Sequence, residues 1–249
     1  MPRFAERLGR RAAAWRASLE DLERWLLPAA CLLCESPIGA RDGDALVCAL
    51  CRSRWRRVPD PVCARCGQPA FGDLACRICG DWGPALQRVR SAVWLDESAR
   101  TAVHRLKYDG WWRVAESLAD AMRGLEPLTG QVCLIPVPLG GRRARERGYN
   151  QSERIASALA GLVGASVRSD LLRRTRETQT QTALTPEARR ANLAGAFAAG
   201  PVRGLAVVLV DDVFTTGATL AAAAEALAQA GTASVDGVTF ARALEPVAR

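Results

Sequence analysis

The stretch Val207-Val208-Leu209-Val210-Asp211-Asp212-Val213-Phe214-Thr215-Thr216-Gly217-Ala218-Thr219-Leu220 decides the fold of this chain. Its first four residues are apolar and three of them are β-branched, which predicts a strand buried on both faces, as in a parallel sheet. Two carboxylates follow, then a hydroxyl-rich loop, then an alanine-rich helix that we expect to run to about Ala230. Ligands of open α/β sheets bind beyond the carboxyl ends of the strands, so this unit predicts a ligand site.

The loop formed by Thr215, Thr216, Gly217, Ala218 and Thr219 suits an anion, most simply a phosphate. Its backbone N–H groups, its hydroxyls and the positive end of the following helix dipole all favour negative charge. The acids Asp211 and Asp212 would repel a phosphate, and they suit ribose hydroxyls or a hydrated Mg2+ instead. A sugar diol carrying a 5'-phosphate would fit both features. An ordinary strand–turn–helix with two capping acids is the alternative.

The same stretch resembles the phosphoribosyl pyrophosphate (PRPP) motif of type I phosphoribosyltransferases, in which two acids and two further residues precede Thr-Thr-Gly-x-Thr. The resemblance implies that Asp211 and Asp212 contact the ribose hydroxyls of PRPP and that residues 215–219 hold its 5'-phosphate. It also implies Mg2+ as the companion of PRPP. The motif specifies the pocket more closely than it specifies the reaction.

Composition limits the class of protein. The chain has 249 residues, a net charge of +8 and one lysine, Lys107. The basic charge permits contact with nucleic acid, but the abundance of arginine and alanine is what a GC-rich coding sequence produces, so we discount it. The sequence contains no run of about twenty apolar residues, so we expect no membrane-spanning helix. Acidic residues near the N-terminus argue against a signal peptide. We therefore expect a cytoplasmic protein without membrane insertion, whose nine cysteines are not a disulfide framework.

Three regions follow from changes in composition: an amphipathic N-terminal helix (1–28), a cysteine-rich domain (29–82) and an α/β domain (88–249). Apolar residues at helical spacing over residues 4–26 predict the first helix, which ends at Pro28. We expect it to dock on the body of the protein. A partner-binding or dimerising role for this helix is the alternative, so a homodimer stays open.

Four Cys-x-x-Cys pairs dominate residues 31–79. Each pair places two thiolates on one tight turn, and two turns form a tetrahedral Zn–S4 site. We expect two structural zinc ions, because so short a segment with few large apolar residues cannot bury a core unaided. Sequential pairing of the turns is the prediction and a cross-braced arrangement the alternative. The predicted ligands are Cys31, Cys34, Cys48 and Cys51, followed by Cys63, Cys66, Cys76 and Cys79.

A short basic run lies inside the cysteine-rich region. Arginines surround Trp55 at residues 52–57, an arrangement that could hold single-stranded nucleic acid. An ordinary solvated face is an equally good interpretation.

Alternating segments from residue 89 onward predict a parallel sheet with right-handed crossovers. Strands are expected at residues 89–95, 132–137, 166–172 and 234–239, besides the one quoted above. Helices are expected at 99–108, 112–122 and 150–162, with a short one beginning at Pro186. We interpret Cys133 as a buried core thiol and His104 as a helix-surface residue.

Two arginine-rich segments accompany the main loop. The first, residues 142–151, leaves the same edge of the sheet as the Asp-Asp loop, where Arg142 and Arg147 could bind a pyrophosphate. The second, residues 173–185, is too polar for a core and too long for a tight turn, which is typical of a mobile lid. Such a lid would exclude water from a cationic ribosyl transition state. Its candidate residues are Arg176, Thr178 and Gln179.

Together these segments resemble the ComF family of competence-associated, phosphoribosyltransferase-like proteins, including the relatives labelled GntX. The resemblance covers residue 25 to the C-terminus, and it implies a type I phosphoribosyltransferase fold behind a zinc-binding domain, with a role in handling incoming single-stranded DNA. The matching pieces are the first Cys-x-x-Cys, Leu106-Lys107-Tyr108, Pro136-Val137-Pro138, Arg147-Gly148-Tyr149-Asn150-Gln151, the arginine-rich lid, Arg190-x-Asn192, Phe197 and the Asp-Asp loop.

Two functions stay open at this level. The first is a PRPP-binding protein or phosphoribosyltransferase whose acceptor the sequence does not identify. The second is a nucleic-acid-binding adaptor that retains the fold, binds single-stranded DNA and contacts a helicase-like partner. The intact acid pair and phosphate loop favour the first.

Overall fold

The computed structural model describes residues 30–39, 42, 45–69, 76–176 and 195–243. The predicted N-terminal helix at residues 4–26 and the predicted helix at Pro186 lie outside these residues, as do Thr178 and Gln179 of the predicted lid.

A five-stranded parallel sheet forms the centre of the molecule, as predicted. Its strands are β1 (Val89–Trp94), β2 (Cys133–Pro136), β3 (Ser166–Val167), β6 (Ala206–Phe214) and β7 (Ser234–Arg242). They lie in the order β1-β7-β6-β2-β3, and two short strands, β4 (Leu172–Arg174) and β5 (Phe197–Ala199), pair antiparallel beside the sheet. All five strands of the sheet are parallel, so their carboxyl ends meet at one edge.

Six helices are described. They are α1 (Ala49–Ser53), α2 (Glu97–Tyr108), α3 (Val114–Met122), α4 (Gly141–Arg147), α5 (Gln151–Val163) and α6 (Ala218–Gln229), with a 3-10 turn at Glu126–Leu128. Asp96 caps α2 by accepting from the N–H of Ala99, and Asn150 caps α5 by accepting from the N–H of Ser152. Among the residues described, no helix is long and apolar enough to cross a membrane.

Strand β6 is buried on both faces, as its apolar run predicted. Val208 and Val210 point to one core, packed against α2, α3 and α5. Val207 and Leu209 point to the other, packed against α6 and the β4–β5 pair. This alternation is the two-residue period of a strand covered by helices on each side.

Several predicted boundaries were wrong, including the end of the strand predicted at 234–239, which continues to Arg242. Strand β6 continues through Phe214 because Asp211 and Val213 still pair with β7, so the acid pair lies within the strand and not after it. The predicted strand at 166–172 is two strands in different sheets, separated by a turn where Arg168 and Asp170 form an ion pair. The predicted helix at 112–122 begins only at Val114.

Candidate functional site

A cavity of about 600 Å3 opens at the carboxyl edge of the sheet. The ends of β1, β2 and β6 form its floor, and α2, α4 and the start of α5 form its walls. Its polar lining brings together most of the residues predicted from the sequence, with several that were not: Arg100, His104, Lys107, Arg142, Arg143, Arg147, Gln151, Arg174, Asp211, Asp212, Thr215 and Thr219.

The acid pair is held by side chains from two helices. Asp212 is 3% exposed; its Oδ2 forms an ion pair with Nζ of Lys107, and its Oδ1 accepts from Nε2 of Gln151 at 3.3 Å. Oδ1 of Asp211 accepts from Oγ of Ser152 at 2.8 Å and from the backbone N–H of Asp212 at 2.9 Å. Both carboxylates are therefore fixed in position before any ligand binds.

The two carboxyl groups have pKa values shifted in opposite directions. Burial and the neighbouring charge of Asp212 raise the pKa of Asp211 to about 7, against the opposing effect of Lys107 and Ser152. Burial acts in the same sense on Asp212, but the ammonium group of Lys107 outweighs it and lowers the pKa of that carboxyl. Near neutral pH Asp212 is therefore ionised, whereas the ionised fraction of Asp211 changes with small changes in pH.

The loop from Thr215 leads into the N-terminus of α6, where the backbone N–H of Ala218 donates to Oγ1 of Thr216 at 3.5 Å. Gly217, with φ +74°, is the N-cap residue of α6. It has no side chain that could cap the helix, and the first turn of α6 contains no acidic residue. The N–H groups at this end of α6 and the helix dipole therefore favour an anion. Thr215 is exposed and Thr219 half-buried, and both line the cavity.

The first arginine-rich segment forms a helix, α4, over Gly141–Arg147. Arg147 donates to Oε1 of Gln151, the same side chain that donates to Asp212, so an arginine and the acid pair are joined through one amide. Arg142 is exposed, and its Nε lies 3.5 Å from Oε1 of Glu146 on the same helix. Both predicted arginines line the cavity.

Only part of the predicted lid is described. Arg174, in β4, lines the cavity and lies over the ring of Phe197 at 5.4 Å. Arg176 is exposed just beyond this strand. The lid function of Arg176, Thr178 and Gln179 stays a prediction.

The eight paired cysteines form two clusters in the sequential arrangement. Within each cluster the four sulfur atoms lie within 4.8 Å of one another, which excludes cross-bracing. The Cys34–Cys48 and Cys63–Cys79 sulfur pairs are 3.8 and 3.7 Å apart, and a tetrahedral Zn–S4 site with bonds of about 2.3 Å requires a separation of about 3.8 Å. The residues thus fit two structural zinc ions.

One thiol of each cluster is predisposed to lose its proton. Hydrogen bonds from Ser36 lower the pKa of Cys34 to about 6. Burial tends to raise the pKa of Cys63, but hydrogen bonds from the backbone N–H groups of Cys66 and Arg65 outweigh it and lower that pKa to about 7. Thiolates are the form that binds metal.

The structure also tests the predictions for Cys133, His104 and Trp55. Cys133 is 7% exposed within β2, and the side chain of His104 is 60% exposed on α2, both as predicted. Trp55 is only 5% exposed because its ring packs edge-on against Phe240 at 4.9 Å. The prediction that residues 52–57 could stack with single-stranded nucleic acid is therefore wrong, because the ring of Trp55 is part of the core.

Sequence reasoning did not assign Lys107, Gln151 or Ser152 to the acid pair. The only lysine of an arginine-rich chain was a usable signal, because a compact ammonium can enter a buried site that a guanidinium would not fill in the same way. Gln151 and Ser152 follow the cap residue of α5, and only the packing of α5 against β6 places them beside the acids.

Comparison with known families agrees with this geometry. The double zinc ribbon domain matches residues 22–81, and the phosphoribosyl transferase domain matches residues 146–248. The second match includes the acid pair and the loop that follows it.

Named relatives cover most of the chain. DNA utilization protein YhgH of Escherichia coli O157:H7 is 35% identical over 219 residues, and that of Salmonella typhi is 34% identical over 221 residues; each alignment covers 84% of this chain and 95% of the relative. Competence protein ComFC of Bacillus subtilis (strain 168) is 27% identical over 232 residues, covering 85% of this chain and 94% of that protein. The chain therefore belongs to the ComF family, in which a double zinc ribbon is joined to a phosphoribosyltransferase domain.

Proposed function

We propose that this protein binds PRPP with Mg2+ in the cavity at the carboxyl edge of the sheet and acts in the cytoplasmic handling of DNA. The observation that carries the proposal is the direct succession, along β6 and α6, of a fixed acid pair and a hydroxyl-rich loop that leads into the N-terminus of a helix without an acid in its first turn. A vicinal diol and a phosphate on one ribose would contact these two features at once.

The roles follow from charge. Asp211 and Asp212 would accept hydrogen bonds from the ribose hydroxyls, and residues 215–219 would donate to the 5'-phosphate. Arg142 and Arg147, on α4, also line the cavity, where their guanidinium groups would neutralise a pyrophosphate. Mg2+ would supply the charge that pyrophosphate needs to leave.

Calorimetric titration of PRPP with Mg2+ tests this function. We expect saturable binding to the natural protein and at least about tenfold weaker binding to Asp212→Asn, because charged hydrogen bonds contribute roughly 1.5–3 kcal/mol. Asp170→Asn is the matched control, since Asp170 is an exposed, ion-paired aspartate outside the cavity. Absence of binding to the natural protein, or equal binding by all three, would contradict the proposal.

An exposed surface beside the cavity favours single-stranded DNA as a second ligand. Tyr108, Trp111 and Trp112 are 67%, 44% and 44% exposed, far more than is usual for large aromatic residues. Arg147 lies over Tyr108 at 5.3 Å and Arg154 over Trp112 at 4.8 Å. Aromatic rings interleaved with arginines are the arrangement on which bases stack while phosphates are neutralised.

This surface adjoins the cavity, because Tyr108 and Arg147 belong to both. The naming of relatives for DNA utilization and for competence agrees with such a ligand. We therefore include DNA binding in the proposed function, as an adaptor role that does not require catalysis.

Fluorescence anisotropy of a labelled oligothymidylate across a salt series tests the DNA ligand. We expect affinity to fall steeply with salt, and Trp111→Ala or Trp112→Ala to weaken it about tenfold, as the loss of one stacked base does. Leu162→Ala is the control, because Leu162 is a 48% exposed apolar residue on α5 that is not part of the aromatic set. Immeasurable affinity at low salt would exclude the adaptor role.

A further inference from the structure

Trp82 joins the second cysteine cluster to the phosphate loop. We name the segment that carries Cys63, Cys66, Cys76 and Cys79 and ends at Trp82 ribbon 2. Trp82 is 7% exposed, and its indole Nε1 donates to the backbone carbonyl of Thr216 at 3.3 Å. The ring also lies so close to Gly217 that a Cβ at that position would overlap with it. The side of the loop that faces away from the cavity therefore rests on an indole.

The zinc-binding turns hold this indole in place. The backbone N–H of Trp82 donates to the carbonyl of Cys79, a ligand of ribbon 2, at 3.2 Å. Arg65, between the ligands Cys63 and Cys66, lies over the indole at 5.6 Å and donates to the carbonyls of Cys79, Gly83 and Leu86. The guanidinium thus fastens the chain on both sides of Trp82.

A second link reaches the same loop from β7. Arg242 is 1% exposed; it donates to the carbonyl of Cys66 at 3.0 Å and lies over the ring of Phe214 at 4.5 Å. Phe214 is the last residue of β6 and packs edge-on against Trp82, with ring centroids 6.0 Å apart. Ribbon 2, Trp82 and the end of β6 are therefore one packed unit.

The segment that carries Cys31, Cys34, Cys48 and Cys51 and ends at Trp55 is named ribbon 1, and none of its described residues belongs to the core that contains Trp82 and Phe214. Its tryptophan packs against Phe240, in the core on the other face of the sheet. The indole Nε1 of Trp55 has no hydrogen-bond partner among the described residues. Ribbon 1 thus offers the matched comparison for ribbon 2.

We propose that Trp82 is a positioning residue for the phosphate loop, so that an intact ribbon 2, and not ribbon 1, sets the affinity of the cavity for PRPP. This inference rests on the proposed function. The indole holds the Thr216 carbonyl away from the cavity and fills the space under Gly217, which turns the N–H groups at the start of α6 towards the ligand. Preformed donors save the ordering cost that a loose loop would add to binding.

Two conservative variants test the inference. Trp82→Phe removes the indole N–H and keeps a ring, and Trp55→Phe makes the same change in ribbon 1, where that N–H has no described partner. We expect Trp82→Phe to weaken PRPP binding about three- to tenfold, the usual effect of one lost hydrogen bond. Trp55→Phe should bind PRPP as the natural protein does, and both variants should retain two zinc ions per chain.

Hydrogen exchange gives a readout that needs no ligand. The N–H of Ala221 donates to the carbonyl of Gly217 at 2.8 Å, so its exchange reports the first turn of α6. Trp82→Phe should accelerate exchange in the peptide covering residues 215–222 at least threefold, and Trp55→Phe should not. If Trp82→Phe fails to fold, Arg65→Lys tests the same unit, since an ammonium lacks the fork that binds several carbonyls.

The outcomes separate the two proposals. Unchanged exchange in Trp82→Phe, or PRPP affinity equal to that of the natural protein, overturns the role of Trp82. Faster exchange in Trp82→Phe alone supports that role even if the natural protein does not bind PRPP, and in that case only the proposed function fails.

Discussion

Ribbon 1 and ribbon 2 each carry four cysteine ligands on two Cys-x-x-Cys turns, yet they pack on opposite faces of the sheet. Ribbon 1 packs through Trp55 against Phe240 on the face of the sheet covered by α2, α3 and α5. Ribbon 2 packs through Trp82 against Phe214 and Gly217 on the face covered by α6. The difference teaches that two equivalent cysteine clusters can pack against different parts of a fold, so the loop that each cluster contacts is set by its packing and not by its ligands.

Loss of one zinc ion should give the largest contrast between the ribbons. Cys34→Ser and Cys76→Ser each remove one ligand and should reduce the zinc content from two ions to one per chain, because three thiolates bind far more weakly than four. Both variants should melt at lower temperature, but only Cys76→Ser should lose PRPP affinity, about tenfold or more. Metal analysis and calorimetric titration check this, and equal loss of affinity in both variants would remove the contrast.

A methyl group at Gly217 should show how closely ribbon 2 approaches the loop. Gly217→Ala forces a side chain into the left-handed region at φ +74° and into the ring of Trp82, so it should lower the free energy of unfolding by about 3 kcal/mol. Gly164→Ala has φ +69° but open space around it, and it should cost about 1 kcal/mol. Urea unfolding measures both values. Similar losses would show that the indole gives way easily.

The aromatic partners of the two tryptophans should separate stability from binding. Phe240→Leu and Phe214→Leu each remove an edge-to-face contact from a core, and each should lower the free energy of unfolding by about 1–2 kcal/mol. Only Phe214→Leu should also weaken PRPP binding, because Phe214 packs under the loop. Thermal unfolding and titration of the two variants side by side test this, and reduced affinity in Phe240→Leu would contradict it.

The smallest expected effect is a pH dependence that belongs to Asp211 and to neither ribbon. Its carboxyl has a pKa of about 7, so the ionised fraction available to ribose hydroxyls rises about threefold between pH 6.5 and 7.5. PRPP affinity should increase by about that factor over this range, beyond the change seen in Asp211→Asn, which corrects for ionisation of PRPP itself. If PRPP affinity changes with pH in the same way in the natural protein and in Asp211→Asn, the pH dependence does not come from Asp211.

Short-range patterns in the sequence predicted much of this molecule. The four Cys-x-x-Cys turns predicted eight metal ligands, because each turn is specified within a few residues, and the structure confirmed sequential pairing over the cross-braced alternative. The apolar run of β6 and its acids predicted the parallel sheet and the edge where the cavity lies. The domain boundaries at residues 28 and 82–88 stay a prediction, and ribbon 2 shares its core with the sheet.

Tertiary structure alone decided the partners of the predicted residues. Lys107 meets Asp212, Gln151 joins Arg147 to that acid, and Trp82 supports Gly217, although each pair is distant in sequence. Periodicity shows which residues are buried, but contacts between elements depend on strand order and on which face of the sheet each element covers. The sequence by itself therefore determined the chemistry of each turn and loop, and the packing of the two ribbons on opposite faces decided which turn supports which loop.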